Sequence, residues 1–552
     1  MKEIADAIRK VVNADVALEI PPDPKLGDFA FPCFSLSKTL KKSPQQIAAE
    51  LAKKIEKPKS VERIEVNGPY LNFFLKKSAL AEDVIKKIRA GNYGRKNQGK
   101  TVMVEFLSPN TNKPLHLGHL RNLFLGMAVS NTLEFLGNKV IRANLVNDRG
   151  VHICKSMLAY DKWGNGREPD KKPDHFVGDF YVLYSKNEND ALKAEIQQML
   201  VRWEKKDQHV RALWKKMNKW AIKGFKETYK ALGVQFDKEY MESGIYGKGR
   251  EIVLDGLKNG IFSKNEQGII ADLKKENLGE KVLLRSDGTS VYITQDIYLA
   301  MKKFSDYNLD RSIYVVGSEQ DYHFKVLISV LHRLNFSHAA QVYHLSYGMV
   351  FLPEGKMKSR EGKVVDADDI MAEISSLARK EVDKRYPKLS ENEKLKRSKK
   401  IGYAALRFYL LRTDSSKSMM YHPEESLSFE GETGPYVQYT YTRISSILRK
   451  YKKAIPSDAD YGLLSHELEK KLIVMLSEFP DVIETAGNKL RLHLIPHFLL
   501  SLSQAFNEYY HQCPIIREEE SLRDARIVLI WCVREVLHAG LDILNIDAIE
   551  RM

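Results

Sequence analysis

Apolar positions set the first division of the chain. Between residues 1 and 95 they recur at helical spacing over about 1–12 and 44–56, on either side of the turn-rich PPDPKLGD. A strand-like VERIEV and an apolar YLNFFL follow, then a helical AEDVIKKIRA. The Gly-, Lys- and Asn-rich GNYGRKNQGK closes what reads as a small α+β unit, 1–95.

From Thr101 the pattern becomes alternating strands and helices. VMVEFL has the β-branched and aromatic content of a buried strand, about 118–136 is helical with apolar residues on two adjoining faces, and KVIRANLV reads as a second strand. Strand, helix, strand is a βαβ unit of a parallel sheet. The alternation returns as SVYIT, a helix over about 296–304, SIYVVG, a helix over about 320–334 and VYHLSYGMVFL. Between the halves, about 150–280 is charged, mainly helical and rich in Trp (Trp163, Trp203, Trp214, Trp220), an insertion within an α/β domain spanning 96–372. Beyond about 370 the strand signal vanishes, and KLSENEKLKRSKK leads into helical periodicities that fill 373–552.

Composition narrows the class. The 552 residues are 43% hydrophobic and 29% charged, ordinary for a globular protein, and no run of about 18 apolar residues offers a membrane span. Four scattered cysteines without a C-x-x-C pair argue against a zinc ribbon or disulfide framework and fit a reducing, cytoplasmic setting. The N-terminus carries no apolar run of the secretory kind. A net charge of +15 favours a polyanionic partner, nucleic acid being the commonest.

Gly94 to Thr101 satisfies G-x-x-x-x-G-K-[ST], but a helix precedes it and a strand follows. A phosphate loop needs the reverse order, so this is a basic linker. The segment from Ser108 to Asn122, SPNTNKPLHLGHLRN, is different: it runs from the carboxyl end of a strand into a helix N-terminus, where ligands sit in open α/β sheets. His116 and His119 project from one turn, Gly118 leaves room for close approach, and the helix N-terminus favours phosphate. Two capping or core histidines would give the same tetrapeptide, and HxGH also occurs in small nucleotidyltransferases. Far downstream, Glu354 to Gly362 sets Lys356, Met357, Lys358, Ser359 and Arg360 on a Gly-flanked basic loop able to close over a triphosphate.

Here the sequence resembles a known family. HLGH is similar to the HIGH motif and KMKSR to the KMSKS loop of class I aminoacyl-tRNA synthetases. VEFLSPNTNKPLHLGHLRN, NLVNDRGVHICKSM, SVYITQDI and FEGETGPYVQYTYTRI resemble arginyl-tRNA synthetases over nearly the whole chain. The resemblance implies a Rossmann-type parallel-sheet catalytic domain with a helical insertion, a small α+β N-terminal tRNA-binding domain and an all-α anticodon-binding domain of the DALR type. It also implies activation of L-arginine by ATP, Mg2+ entering with the nucleotide and no dedicated metal site, then transfer to tRNA(Arg) by an enzyme that is often monomeric. By the same resemblance His116, Gly118, His119, Lys356, Met357, Lys358 and Ser359 bind ATP, with His116, His119, Lys356 and Lys358 acting in catalysis. Glu105, Asn110, Tyr292, Asp296 and Gln320 hold arginine, while Asn67, Tyr70, Asn72, Tyr436, Gln438, Tyr439 and Arg443 meet tRNA. Where a strict KMSKS loop has its second lysine this chain has Ser359, and whether Lys358 replaces that cation is open. A carboxylate set suits a planar guanidinium. Lysine is the rival substrate, and an RNA-binding relative without catalysis is the rival function.

Overall fold

A computed structural model describes all residues except 1, 13, 15, 20, 22, 24, 25, 59, 354–364 and 552. Near the N-terminus, β1 (Phe29–Pro32), β2 (Val61–Asn67) and β3 (Tyr70–Leu75) form an antiparallel sheet in the order β1-β3-β2. Helices Lys2–Val12 and Pro44–Lys54 lay Ile4, Ile8, Ile47 and Leu51 against it in a core of their own. The next helix, Lys77–Arg89, turns the other way and buries Ala81, Val84, Ile85 and Ile88 in the largest core of the protein.

β4 (Thr101–Glu105), β5 (Lys139–Val146) and β6 (Lys238–Met241) join β10 (Arg311–Gly317) and β11 (Val342–Tyr347) in a five-stranded parallel sheet ordered β11-β10-β4-β5-β6. The register sets Glu105 opposite Ala143 on one side and Tyr314 on the other. The helix Leu117–Phe135 connects β4 to β5. It is apolar on nearly every side because it is covered on nearly every side: by the sheet, and by helices Glu391–Leu411, Glu467–Asn488 and Glu520–Ile543 of the C-terminal region.

Three sequence expectations change. The insertion contains only helices and loops through Ala231; it then supplies β6 to the central sheet, two short helices (Glu242–Ile245 and Arg250–Lys258), and β7 (Ser263–Asn265), β8 (Gly268–Leu273) and β9 (Gly279–Arg285), a separate antiparallel sheet. SVYIT is not a strand. Val291 N–H donates to Thr294 Oγ1 at 3.1 Å, and the Thr294 hydroxyl donates to Leu283 O, so a cap starts the helix Tyr292–Tyr307 there despite the β-branched residues. Past residue 370 a short strand persists: β12 (Val350–Phe351) pairs in parallel with β13 (Met419–Met420).

The C-terminal helices include Gly434–Tyr451 and Leu494–Gln512. Pro480 lies inside Glu467–Asn488 and has no N–H for the carbonyl of Leu476; the Tyr93 hydroxyl donates to that oxygen instead, at 2.7 Å. No helix among the described residues is long and apolar enough to cross a membrane.

Candidate active site

The chain leaves β4 through a strained turn. Leu107 and Ser108 have φ of 83° and 49°, a region costly for side-chain-bearing residues. Two asparagines hold it: Leu107 N–H donates to Asn122 Oδ1 at 2.5 Å and Ser108 N–H to Asn144 Oδ1 at 3.2 Å. Asn122 comes from the HLGH helix and Asn144 from β5, so the turn is built from both flanks of the βαβ unit.

His116 caps the following helix, and its backbone N–H donates to His119 Nδ1 at 3.1 Å. That bond leaves the His119 proton on Nε2. The two rings lie 3.8 Å apart. Burial, helped by the nearby charge of Lys113, lowers His116 to about 4; burial, His116 and Lys113 together push His119 well below the usual histidine range. Both rings are therefore neutral N–H donors at physiological pH. A Cβ at Gly118 would meet the His116 ring at 3.1 Å, so the glycine also leaves that ring its place. Lys113, itself lowered by burial, is a cation beside both histidines that motif reading passed over.

Arg121 ties this helix to its surroundings. Its buried guanidinium donates to the carbonyls of Gly348 (2.6 Å), Met349 (3.2 Å), Ser415 (3.3 Å) and Lys417 (2.8 Å), the segments leading into β12 and β13. Lys356, Met357, Lys358 and Ser359 fall outside the described residues.

Of the residues expected to hold arginine, Asn110 is half-buried in the β4 loop and bridged to Asn147. Tyr292 stands at the start of its helix, 74% exposed, and Gln320 is exposed just before the helix Asp321–Arg333. Asp296 accepts from His323 Nε2 at 2.6 Å and keeps part of its carboxylate open. Glu105 departs from expectation. It is 4% exposed, and its carboxylate lies 2.5 Å from Nζ of the fully buried Lys303, which also sits 3.9 Å above the Tyr314 ring. Its charge is answered inside the protein.

The acid that shares the field of Asp296 is Glu242, directly after β6. Burial raises it to about 7, with Asp148 and Asp296 pushing the same way against Arg149. Asp148 is locked by Ser243, accepting from its N–H at 2.8 Å and its hydroxyl at 2.6 Å. Arg149 is stacked 3.2 Å over Tyr246 and paired with Glu204 at 2.9 Å.

In the N-terminal sheet Asn67 is exposed and Tyr70 half-exposed, its ring edge-on to the exposed Phe34. Asn72 is buried at 4% exposure within β3, where it cannot face RNA. In the helix Gly434–Tyr451, Tyr436, Tyr439 and Arg443 lie on the partly exposed face. Arg443 donates to Asn507 Oδ1 (2.7 Å) and Tyr439 Oη (2.9 Å), and Asn507 donates to Tyr436 Oη (2.9 Å). Gln438 points inward, fully buried, donating to the carbonyl of Asp547 at 2.7 Å; it is part of the core.

Comparison with known proteins bears on this arrangement. The family model for the class I (R) tRNA synthetase catalytic domain matches residues 80–421, the DALR anticodon binding domain 437–552 and the arginyl-tRNA synthetase N-terminal domain 1–75. The arginine–tRNA ligase of Treponema denticola is 44% identical over 98% of this chain and 96% of its own. The chain belongs to the arginyl-tRNA synthetase family. The arginyl-tRNA synthetase of Thermus thermophilus superposes with a TM-score of 0.89 at 28% identity, covering 100% of this chain and 99% of its own. The Plasmodium falciparum enzyme, at 20% identity and a TM-score of 0.83, shares the fold. In this family's terms the chain is a class I α/β catalytic domain flanked by a small α+β unit and a helical DALR domain.

Proposed function

We propose that the chain is an arginine–tRNA ligase: it activates L-arginine with ATP and esterifies the product to the 3′-terminal adenosine of tRNA(Arg). The observation that carries this is the acid pair Asp296 and Glu242 at the same end of the parallel sheet as the HLGH turn. Acids there suit a guanidinium and N–H donors suit a triphosphate.

In the first step an oxygen of the arginine carboxylate attacks the α-phosphorus of ATP, the bond to the bridging oxygen breaks and pyrophosphate leaves. No protein nucleophile is needed; the chain contributes position and charge. Neutral His116 and His119 and the helix N-terminus donate to phosphate oxygens, with Lys113 supplying a fixed cation. Lys356 and Lys358 are assigned to the same phosphates on motif alone. Mg2+ enters with ATP. Tyr292, Gln320 and Asn110 are assigned to the guanidinium and the α-amino and carboxylate groups of arginine. In the second step the ribose 2′-hydroxyl attacks the adenylate carbonyl, loses its proton and releases AMP. The exposed Asn67 and half-exposed Tyr70 at one end, and the partly exposed Tyr436, Tyr439 and Arg443 at the other, are rings and polar groups suited to splayed bases. We read the active form as a cytoplasmic monomer.

Pyrophosphate exchange with arginine or lysine, each with and without total tRNA, tests the reading. Exchange with arginine is expected. Exchange with lysine instead would reassign the substrate, and silence under all four conditions would favour an RNA-binding relative without catalysis.

A further inference from the structure

The backbone around His116 is clasped from outside its own helix. Leu117 N–H donates to Val365 O at 3.2 Å and Ala367 N–H to Leu115 O at 2.8 Å, so residues 365–367 form an antiparallel bridge across the first histidine, with Asp366 opposite it. The side chains that leave this strap are gripped by the insertion. Asp368 Oδ2 accepts from His175 Nε2 at 2.7 Å and from Lys172 Nζ at 2.6 Å, and Asp366 Oδ2 lies 3.6 Å from His175 Nδ1. His175 and Lys172 stand at the start of the helix Pro173–Asn187. Its fully buried Asp174 takes a second contact from Lys172 at 3.2 Å, and Thr228 of helix Gln208–Ala231 accepts a third from the same ammonium at 2.5 Å. Asp174, His175 and Asp368 bring a ring nitrogen and carboxylate oxygens within 4.8 Å of one another, and the Lys172 ammonium bonds to two of these three residues.

We propose that His175 is a positioning residue for amino-acid activation: by donating to Asp368 it fixes the strap 365–368, and the strap fixes the backbone that aims His116. The inference rests on the ligase reading above. No atom of His175 need touch substrate. Its effect travels through two backbone hydrogen bonds, and a shift of about 1 Å at a phosphate-binding ring is enough to cost as much as a hundredfold in rate.

The charges around His175 give the device a direction. Asp174 and Lys172 face it from its own helix, Asp366, Asp368 and Asp369 lie in or just before helix Ala367–Arg385, and helix Gln208–Ala231 presents Thr228. The bond to Asp368 holds His175 above its ordinary value, with Asp174 and Asp366 adding to it against burial. A raised histidine contributes below its unfolded value and loses that contribution as pH climbs through the folded one. The clamp is therefore tightest while His175 is protonated and loosens as pH rises through its raised value.

The test is the ratio of wild-type to His175→Gln kcat/KM for ATP in pyrophosphate exchange, followed across pH. The expected ratio is roughly tenfold at the acid end of the profile and shrinks as pH rises through the raised value of His175 and its ring loses charge, with the KM for arginine the same in both. Asp368→Asn should trace the same curve, and the double variant should lose no more than either single one. A ratio that stays flat with pH, an equal loss in arginine KM or additive losses would overturn the proposal. Thermal melts establish that each variant is folded; Asp366→Asn, expected to follow the same curve with a smaller ratio, replaces any that is not. Absence of exchange by the wild-type chain would defeat the ligase reading, whereas exchange with a flat ratio defeats only the role of His175.

Discussion

The carboxyl ends of the parallel strands serve two opposite charges, and the side chains there are sorted to match. After β4 come Lys113, His116, His119 and a helix N-terminus, a set of N–H donors whose only fixed charge is positive. After β6, and at the start of Tyr292–Tyr307, come Glu242 and Asp296, reinforced by Asp148 and moderated by Arg149. Burial acts on both groups with opposite results. It strips charge from the histidines, which need only donate, and it leaves Glu242 near its titration point, ready to ionise when a cation arrives. Glu105 marks the boundary: although it sits among these groups, Lys303 has already neutralised it. Electrostatic sorting at one sheet end lets a polyanion and a cation bind side by side without the site attracting either one into the wrong half.

The largest break in that contrast is expected from Asp296→Ala. Arginine binding should weaken by about 4 kcal/mol, close to a thousandfold, with the KM for ATP nearly unchanged; equal losses for both ligands in steady-state exchange would show that the halves are not separate. His119→Ala is the converse. It should lower the activation rate by roughly a hundredfold while equilibrium dialysis finds arginine binding intact, because it removes an N–H donor to the reacting phosphates. Glu242 gives a subtler signature. Since its carboxyl is half-titrated near pH 7 and a guanidinium favours the ionised form, arginine binding should release a proton, and the KM for arginine should fall as pH rises from about 6 to 8. Calorimetry in two buffers of different ionisation heat measures that proton; Glu242→Gln should abolish it and weaken binding about tenfold. Smallest of all, Tyr93→Phe should move neither half. It orphans the Leu476 carbonyl, and denaturant unfolding should register about 1 kcal/mol of lost stability with unchanged kinetics.

Much of the phosphate half was legible because it is contiguous: one strand, one turn and one helix N-terminus carry His116, Gly118 and His119 within a single stretch whose periodicity announces the βαβ unit. The arginine half was legible only in part. Tyr292 and Asp296 sit on one helix, but Glu242 follows a short strand with a weak apolar pattern, and its relation to Asp296 exists only once the sheet has assembled. Lys303 was missed for the opposite reason, since a lysine in a helix reads as surface. Its spacing from the buried Leu299 and Ala300 places it on the inward stripe, and that was the available signal. Gln438 repeats the lesson beside Val437 and Tyr441. SVYIT misled because β propensity yields to a cap.

The coverage of helix Leu117–Phe135 has a consequence for how the chain is made. Part of its apolar surface is covered by segments that include Glu467–Asn488 and Glu520–Ile543, and the Tyr93 hydroxyl donates to a carbonyl on the former. During synthesis from the N-terminus, the helix that bears both histidines leaves the ribosome long before the residues that will shield it. A nascent chain halted before residue 467 would present that apolar flank to water or to a chaperone, so the burial of the helix that bears both histidines is complete only once the last helices have been made.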